Sequence, residues 1–432
     1  MSSSLGTIIQ ELINNDEISN VMANEDNKLV QKYTERQVAI PFQNIMLNYD
    51  AMVERNRCVL SGVDDLELIL EIKNFPICMY TVDAGCMDEH DFSSDMKWWI
   101  SKNTGIIQLN PLVPLDFLYK RGHGSGAVGK IWEQHHSEFC QFISECGVKH
   151  VLEIGAGNGR LAQYFVNFHI DAQYYIVEPN LPSWTHERVT MYKRMFDENF
   201  MMDSKVDAVV HSHLFEHIYE PREFLLNIAK FLPEGQWHIF SLPRLERWVQ
   251  KGYLNALNFE HTIYLTETNV EYLIMSCGFE IVHKKYFRED HSIFYATRKS
   301  VTASEYAILP HNYLENHLMF MSWVKSAQEF VENVNVKIAQ YSLGKIYVYG
   351  GHIFTQFLIK FGLNVSSIYG ILDNDPFKVG RRLYGTNLQI FLPELELNGQ
   401  IGAVIIMRTG AYQDEIKKGI RDKVSDDVIF WE

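Results

Sequence analysis

Apolar residues recur at helical spacing through residues 1–57, with Ile8, Ile9, Leu12 and Ile13 followed by Val30, Tyr33 and Val38. Polar residues around Asn24–Asn27 interrupt the run, and the stretch reads as a helical extension packed on the body or on a second subunit. Across 58–120 the pattern shortens into strand-like runs, LELILEI, FPICMYTV and TGIIQL, divided by polar turns, which predicts a small β-rich module. Helical spacing returns at Ser125–Cys146, where Val128, Ile131, Trp132, His135, Phe139 and Phe142 share one face.

From 149 strand and helix alternate. HVLEIGAG is a buried strand and GRLAQYFVNF a helix; AQYYIVEPN, RVTMYKRMF, VDAVVHSH and QWHIFSLP are further strands. EPREFLLNIAKFL reads as a helix with Pro221 in its first turn, and NVEYLIMSCGF as one closed by Gly278. FEIVHKKYF and HSIFYATRK predict a final antiparallel hairpin. Such alternation means a doubly wound, mostly parallel sheet over 121–300. A long helical pattern at 301–343 links it to a second α/β unit, 344–432, built on KIYVYGG, HIFTQFLIKFG, SSIYGILDND, IGAVIIM, AYQDEIKKGI and DVIFWE.

Composition narrows the setting. The 432 residues are 47% hydrophobic and 22% charged, as in ordinary globular proteins, and no apolar run reaches the length of a membrane span. The acidic N-terminal stretch does not read as a signal peptide, so a cytoplasmic protein is expected, with no membrane partner. With 54 acidic against 39 basic residues the net charge is -15; without a basic stripe, nucleic acid is excluded as a partner. Six scattered cysteines fit a reducing compartment.

The chemistry concentrates in Val151–Arg160, VLEIGAGNGR. Gly155, Gly157 and Gly159, with Ala156 and Asn158 between them, form a turn that lets a ligand approach the backbone. Dinucleotide folds use a similar turn, and a structural turn is a third reading. Glu153, two residues before the first glycine, suits the amino group of an amino acid and would repel a pyrophosphate. Glu178, ahead of Pro179 at the end of the next strand, suits a ribose diol. Together they favour S-adenosylmethionine. Phe196-Asp197 is a candidate frame for the adenine, and Ser212 ends the fourth strand where the methionine part belongs. The turn RGHGSG either caps the helix that follows or closes over the donor's carboxylate through His123 and Ser125.

Methyl transfer needs alignment and, at C–H or O–H acceptors, a base. His217 follows the fourth strand and His261, with Glu260 beside it to orient it, follows the fifth, both at the ligand-binding edge. His135 and His136 sit on a helix as packing residues, and of His211 and His213, alternating along the fourth strand, one is expected to face the core.

The order of parts over residues 58–432 resembles the three-part bacterial sugar C-methyltransferases that act on nucleotide-linked deoxy-ketosugars. The likeness rests on YVYGGHIFTQFL, ILDNDPFKVGRRLYGTNLQIFLPE and AVIIMRTGAYQDEI in the last part, on His217, and on Glu260-His261 against the family's Tyr-His-Glu-His motif. The resemblance implies a central Rossmann-like class I methyltransferase domain with a seven-stranded sheet, a C-terminal α/β domain that binds the nucleotide-sugar, and His261 as base. A monomer or homodimer is expected. The family's zinc cysteines are reduced to Cys58, with Ser61, Ser101 and Thr104 at the other positions, so neither zinc nor any other metal is expected. Asn258 and Phe259 replace the motif's tyrosine and first histidine, and His352 stands in the C-terminal glycine turn. The leading expectation is therefore carbon methylation beside a ketone, in polysaccharide or natural-product assembly. O- or N-methylation of a sugar, and a non-catalytic protein that keeps the fold, are the alternatives.

Overall fold

The computed structural model describes residues 52–86, 91–119, 129–424 and 427–432, and residues 51–432 form one compact unit. Of the extension expected over 1–57, residues 1–51 lie outside the described residues, as do His123, Ser125 and the rest of 120–128.

The first part holds strands β1 (Leu66–Pro76), β2 (Thr81–Asp83), β3 (Ser93–Ser101) and β4 (Ile107–Leu109). In β3 burial alternates up to its last residue: Ser94, Met96 and Trp98 are buried between half-buried or exposed neighbours, as a sheet with one packed face requires, and Ile100 and Ser101 are both buried at the end. The central part holds β5 (His150–Ile154), β6 (Gln173–Val177), β7 (Val189–Tyr192), β8 (Ala208–Ser212), β9 (Trp237–Pro243), β10 (Ile263–Tyr264), β11 (Phe279–Phe287) and β12 (Ser292–Lys299). Seven of these form one sheet in the order β11-β12-β9-β8-β5-β6-β7. Neighbours from β9 to β7 run parallel, whereas β12 is antiparallel to both β9 and β11.

Period-two patterning divides the core between the sheet's two faces. Leu152, Val209 and Phe240 pack with Leu225, Ile228 and Leu273 of the helices Pro221–Phe231 and Glu267–Ser276. Val151, Ala208, Val210 and Ile239 pack with Phe139, Phe142, Leu161 and Phe165 of Lys130–Glu145 and Arg160–Phe168. The chain leaves β5 toward β6 and β7, then returns across it to β8 and β9, so the order reverses beside β5. Ligands of open α/β sheets bind at the carboxyl ends of the strands at such a point.

After the helix Tyr313–Gln340 come β13 (Ile346–Tyr349), β14 (Gly370–Leu372), β15 (Arg381–Leu383), β16 (Ile390–Phe391), β17 (Val404–Ile406) and β18 (Ile429–Trp431). Five build a parallel sheet in the order β16-β14-β13-β17-β18.

The small β-rich module expected over 58–120 is not closed by its own residues. Its sheet runs β1-β3-β4-β10, so a strand that follows His261 by two residues completes it, and β2 pairs instead with β15 of the last part. Near that second seam Arg382 and Asp91 form a two-pronged ion pair at 2.5 and 3.1 Å, with side chains only 3% and 8% exposed. The positions that match the family's zinc cysteines meet through hydrogen bonds: Cys58 Sγ lies 3.3 Å from Thr104 Oγ1, Ser61 N donates to Cys58 Sγ at 3.5 Å, and Thr104 N donates to Ser101 Oγ at 3.1 Å. All six cysteines are free thiols. Among the described residues no helix is long and apolar enough to cross a membrane.

Candidate active site

Strand β5 ends in the glycine turn, with Gly155, Gly157 and Gly159 at φ 71°, 54° and 72°, a region costly to residues with a Cβ. A Cβ on Gly159 would fall 2.6 Å from the ring of Trp184, whose Nε1 donates to Asn158 O at 2.8 Å. At Gly157 a Cβ would meet nothing within 4 Å: the middle of the turn is open. Ala156 is half-buried and Asn158 exposed. Sequence reasoning passed over Trp184, which carries no motif and reaches the turn from the loop after β6.

Two carboxylates flank this opening. Glu153 is 2% exposed and its Oε2 has no hydrogen-bond partner. Burial raises its carboxyl to about 8; the nearby Tyr174 hydroxyl opposes the shift and Glu178 adds to it. Glu178, also buried, directly follows β6 and accepts from Asn180 N at 2.8 Å through Oε1. Pro179 is half-buried behind it.

A second group gathers past the ends of β8 and β9. Ser212 closes β8, and the next residue, His213, sits at a left-handed φ of 50°. The turn Phe215–His217 then presents Glu216, with a fully buried side chain, and His217, 11% exposed. The His217 ring packs edge-on against His261 with centroids 4.7 Å apart. His261 Nδ1 lies 3.1 Å from Ala256 O; a carbonyl only accepts, so Nδ1 carries the proton and Nε2 the lone pair. Glu260 was expected to orient His261, but its Oε2 lies 3.9 Å from His217 Nδ1, which is also 3.2 Å from the Tyr119 hydroxyl. The backbone carbonyl takes the orienting role because Asn258 folds the loop back: its buried Oδ1 accepts from both Glu260 N (2.7 Å) and His261 N (2.8 Å). Phe259 is core, edge-on to Phe75. The two motif departures thus shape the loop from beneath.

Arg55 is a further residue that the sequence did not announce. Buried, it donates to Leu109 O (2.9 Å), Thr262 O (2.7 Å) and Tyr219 O (3.1 Å), tying the loops that carry His261 and His217. Burial lowers its guanidinium to about 10, against Glu220 and Tyr219. Beneath the site lies a set of neutral histidines: His135 Nε2 is 2.9 Å from Ser241 Oγ, while His213 Nε2 and His291 Nδ1 are 2.8 and 2.6 Å from Ser292 Oγ. Burial holds all three well below the usual imidazole range. His211, expected to share core and surface with His213, is also buried, 3.0 Å from His238. Phe196, expected beside an adenine, packs among Phe200, Phe224 and Phe231, while Asp197 accepts from Arg194, Asn199 and Phe200 within its own turn.

In the last part, Gly351 N donates to Asp373 Oδ2 at 2.9 Å, and Lys378 Nζ reaches the same oxygen at 2.9 Å. That amide is therefore engaged by a carboxylate.

Over residues 131–284 the sequence matches the family described as "Methyltransferase domain". This part of the chain is a methyltransferase domain. No curated protein matches the chain. Solved structures similar to it include an O-methyltransferase family protein from Burkholderia thailandensis, at 12% identity over 39% of this chain and 56% of that one, TM-score 0.32. Another is the N-methyltransferase NodS from Bradyrhizobium japonicum WM9 with S-adenosylhomocysteine, at 13% identity over 40% and 88%, TM-score 0.31. A third is 1,6-didemethyltoxoflavin-N1-methyltransferase from Burkholderia thailandensis, at 17% identity over 45% and 96%, TM-score 0.35.

The residues at the turn fit the donor. Glu153 offers a buried, unpartnered oxygen to an ammonium, the position at Gly157 is open, and the Glu178 carboxylate stands at the neighbouring strand end. When bound, the donor supplies a methyl group on a positively charged sulfur.

Proposed function

We propose that the enzyme methylates a nucleotide-linked sugar at carbon beside a ketone. Glu153 holds the donor's amino group, Glu178 its ribose, and Gly157 admits its backbone-facing edge. His261 is the base: its Nδ1–H is donated to Ala256 O, so the ring's basic lone pair is on Nε2, and the ring packs against that of His217. That fixed tautomer is the observation that carries the reading, because an imidazole held this way has only a proton-accepting role to play. His261 Nε2 takes the acidified proton beside the ketone, the acceptor's electron pair is carried as an enolate, and its carbon forms the new bond as sulfur leaves with the old one. His217, against Glu260 and Tyr119, contacts the acceptor's oxygen.

The last part supports a large acceptor. It abuts the central part where Arg408 Nε donates to Gly252 O (3.3 Å) and Trp323 Nε1 to Tyr253 O (3.0 Å). Because Asp373 occupies the Gly351 amide, the nucleotide's phosphates meet this domain away from that turn.

Incubation with S-adenosylmethionine and a nucleotide-linked ketosugar in deuterated water tests the reading. A C-methyl resonance with solvent exchange at the neighbouring carbon is expected, and exchange is lost in His261→Ala. An O-methyl or N-methyl product, or no exchange, overturns it.

A further inference from the structure

The three glycines of the turn after β5 do different things. A Cβ on Gly155 would meet the Leu214 side chain at 2.9 Å, and one on Gly159 would meet the Trp184 ring at 2.6 to 2.9 Å, whereas one on Gly157 would meet nothing within 4 Å. Gly155 and Gly159 therefore make room for protein, and Gly157 for a ligand. Three glycines in five residues also give the backbone many conformations to lose when a ligand orders it. Trp184 removes much of that freedom. Its Nε1–H donates to Asn158 O at 2.8 Å, which fixes the peptide plane between Asn158 and Gly159. Its ring lies against Gly159 and packs on the core layer that holds Leu161 and Ile176. Asn158 is held from its side chain as well, where Oδ1 accepts from Arg160 N at 3.2 Å, and Gly159 N closes the turn on Ala156 O at 2.8 Å. Trp184 stands six residues after Glu178 on the same loop, and Pro179 and Pro182 fix φ at two positions between them. A stiffened loop thus ties the end of β6 to the turn of β5.

We infer that Trp184 is a positioning residue for the methyl donor: its bond to Asn158 O and its ring against Gly159 hold the glycine turn in the donor-accepting shape before the donor arrives. The inference rests on the donor seat proposed above, between Glu153 and Glu178, and deepens it. Without the latch the turn samples other shapes, and apparent affinity falls with the fraction of molecules that keep the accepting one. The latch also keeps the loop of Glu178 in register with the turn, so the ribose and methionine parts of the donor meet partners already spaced for them. Acceptor chemistry does not enter.

The test is calorimetric titration of the full-length protein with S-adenosylhomocysteine, with amide hydrogen exchange followed over residues 155–160. Trp184→Phe keeps an aromatic ring and drops the N–H, and Trp184→Ala drops both. Affinity should fall about three- to tenfold in Trp184→Phe, the range of one hydrogen bond, and about tenfold or more in Trp184→Ala. Without ligand, the turn amides of Trp184→Phe should exchange faster than those of the wild type, and saturating ligand should restore their protection. A residue that only packs would lower the melting temperature and leave both readouts where they were. Trp184→Phe, the more conservative change, decides if Trp184→Ala does not fold. A wild type that binds, beside a Trp184→Phe that matches it within about twofold or exchanges its turn amides no faster, overturns the inference alone. A wild type that binds no S-adenosylhomocysteine at millimolar concentration overturns the donor seat and the inference with it.

Discussion

Replacing Glu153 by Gln separates what this carboxyl does for the donor from what it costs the fold. Its carboxyl, 2% exposed, stands at about 8 in the folded protein against 4.5 when solvated. An acid raised in this way binds its proton more tightly folded than unfolded. Stability is therefore highest below pH 4.5 and falls as pH rises from there to about 8, beyond which the loss is complete. At 1.36 kcal/mol per pH unit the full loss is roughly 5 kcal/mol, an upper figure for a site that relaxes. Glu153→Gln keeps the shape and removes the titration. The variant should melt close to the wild type at pH 5 and, at roughly 2–4 °C per kcal/mol, about 5 °C or more above it at pH 9. Donor affinity moves the other way. The pair needs an ionised carboxylate and a protonated amine, so wild-type affinity should rise up to about tenfold per pH unit toward pH 8 and fall again above it, whereas the variant binds weakly at every pH. Differential scanning fluorimetry and calorimetric titration across pH read both. A variant no more stable at pH 9, or one that binds donor as the wild type does, refutes the assignment of Glu153.

Three other perturbations probe separate parts of the account. Gly157→Ala, at φ 54° with open space around it, should cost about 1–2 kcal/mol of stability while lowering donor affinity at least tenfold; equal affinity would mean that the donor does not approach this turn. Asp91→Ala leaves Arg382 buried beside the β2–β15 seam, which should cost about 3–5 kcal/mol, and Asp91→Leu with Arg382→Met should recover much of it in a melting experiment. His291, held at about 4 by burial against a solvated 6.5, contributes stability that is whole above pH 6.5 and lost as pH falls through about 4. His291→Phe should accordingly flatten the acid limb of the melting-temperature profile by roughly 3 kcal/mol, and an unchanged limb would show that this ring charges freely.

The parts of the fold that were legible are those where periodicity and punctuation agree. Strands β5, β6, β8 and β9 stand where their apolar runs predicted, Pro221 opens its helix, and Gly278 takes a left-handed φ of 87° after Cys277. Two seams were not legible, because a short strand carries little pattern of its own. Ile263–Tyr264 and Thr81–Asp83 are two and three residues long, and each is a strand only by virtue of a distant partner, β4 and β15. Within the site, glycines and strand-end acids showed in the sequence because their types are tied to position. Tyr119, Arg55 and Trp184 did not, since what makes them matter is a contact across 26 to 207 residues. The surroundings of Phe196, among phenylalanines, and of Glu260, facing His217, were not legible either, for side-chain direction in a loop follows the loop's own hydrogen bonds, here those of Asp197 and Asn258.

Everything proposed for the acceptor presumes a donor seated between Glu153 and Glu178 over the open glycine. Calorimetric titration of the full-length protein with S-adenosylhomocysteine, alongside Glu178→Ala, tests that seat most directly. A saturable one-to-one isotherm for the wild type, weakened at least tenfold in Glu178→Ala, is the expected result. A flat trace at millimolar ligand, or an isotherm indifferent to Glu178, contradicts the account.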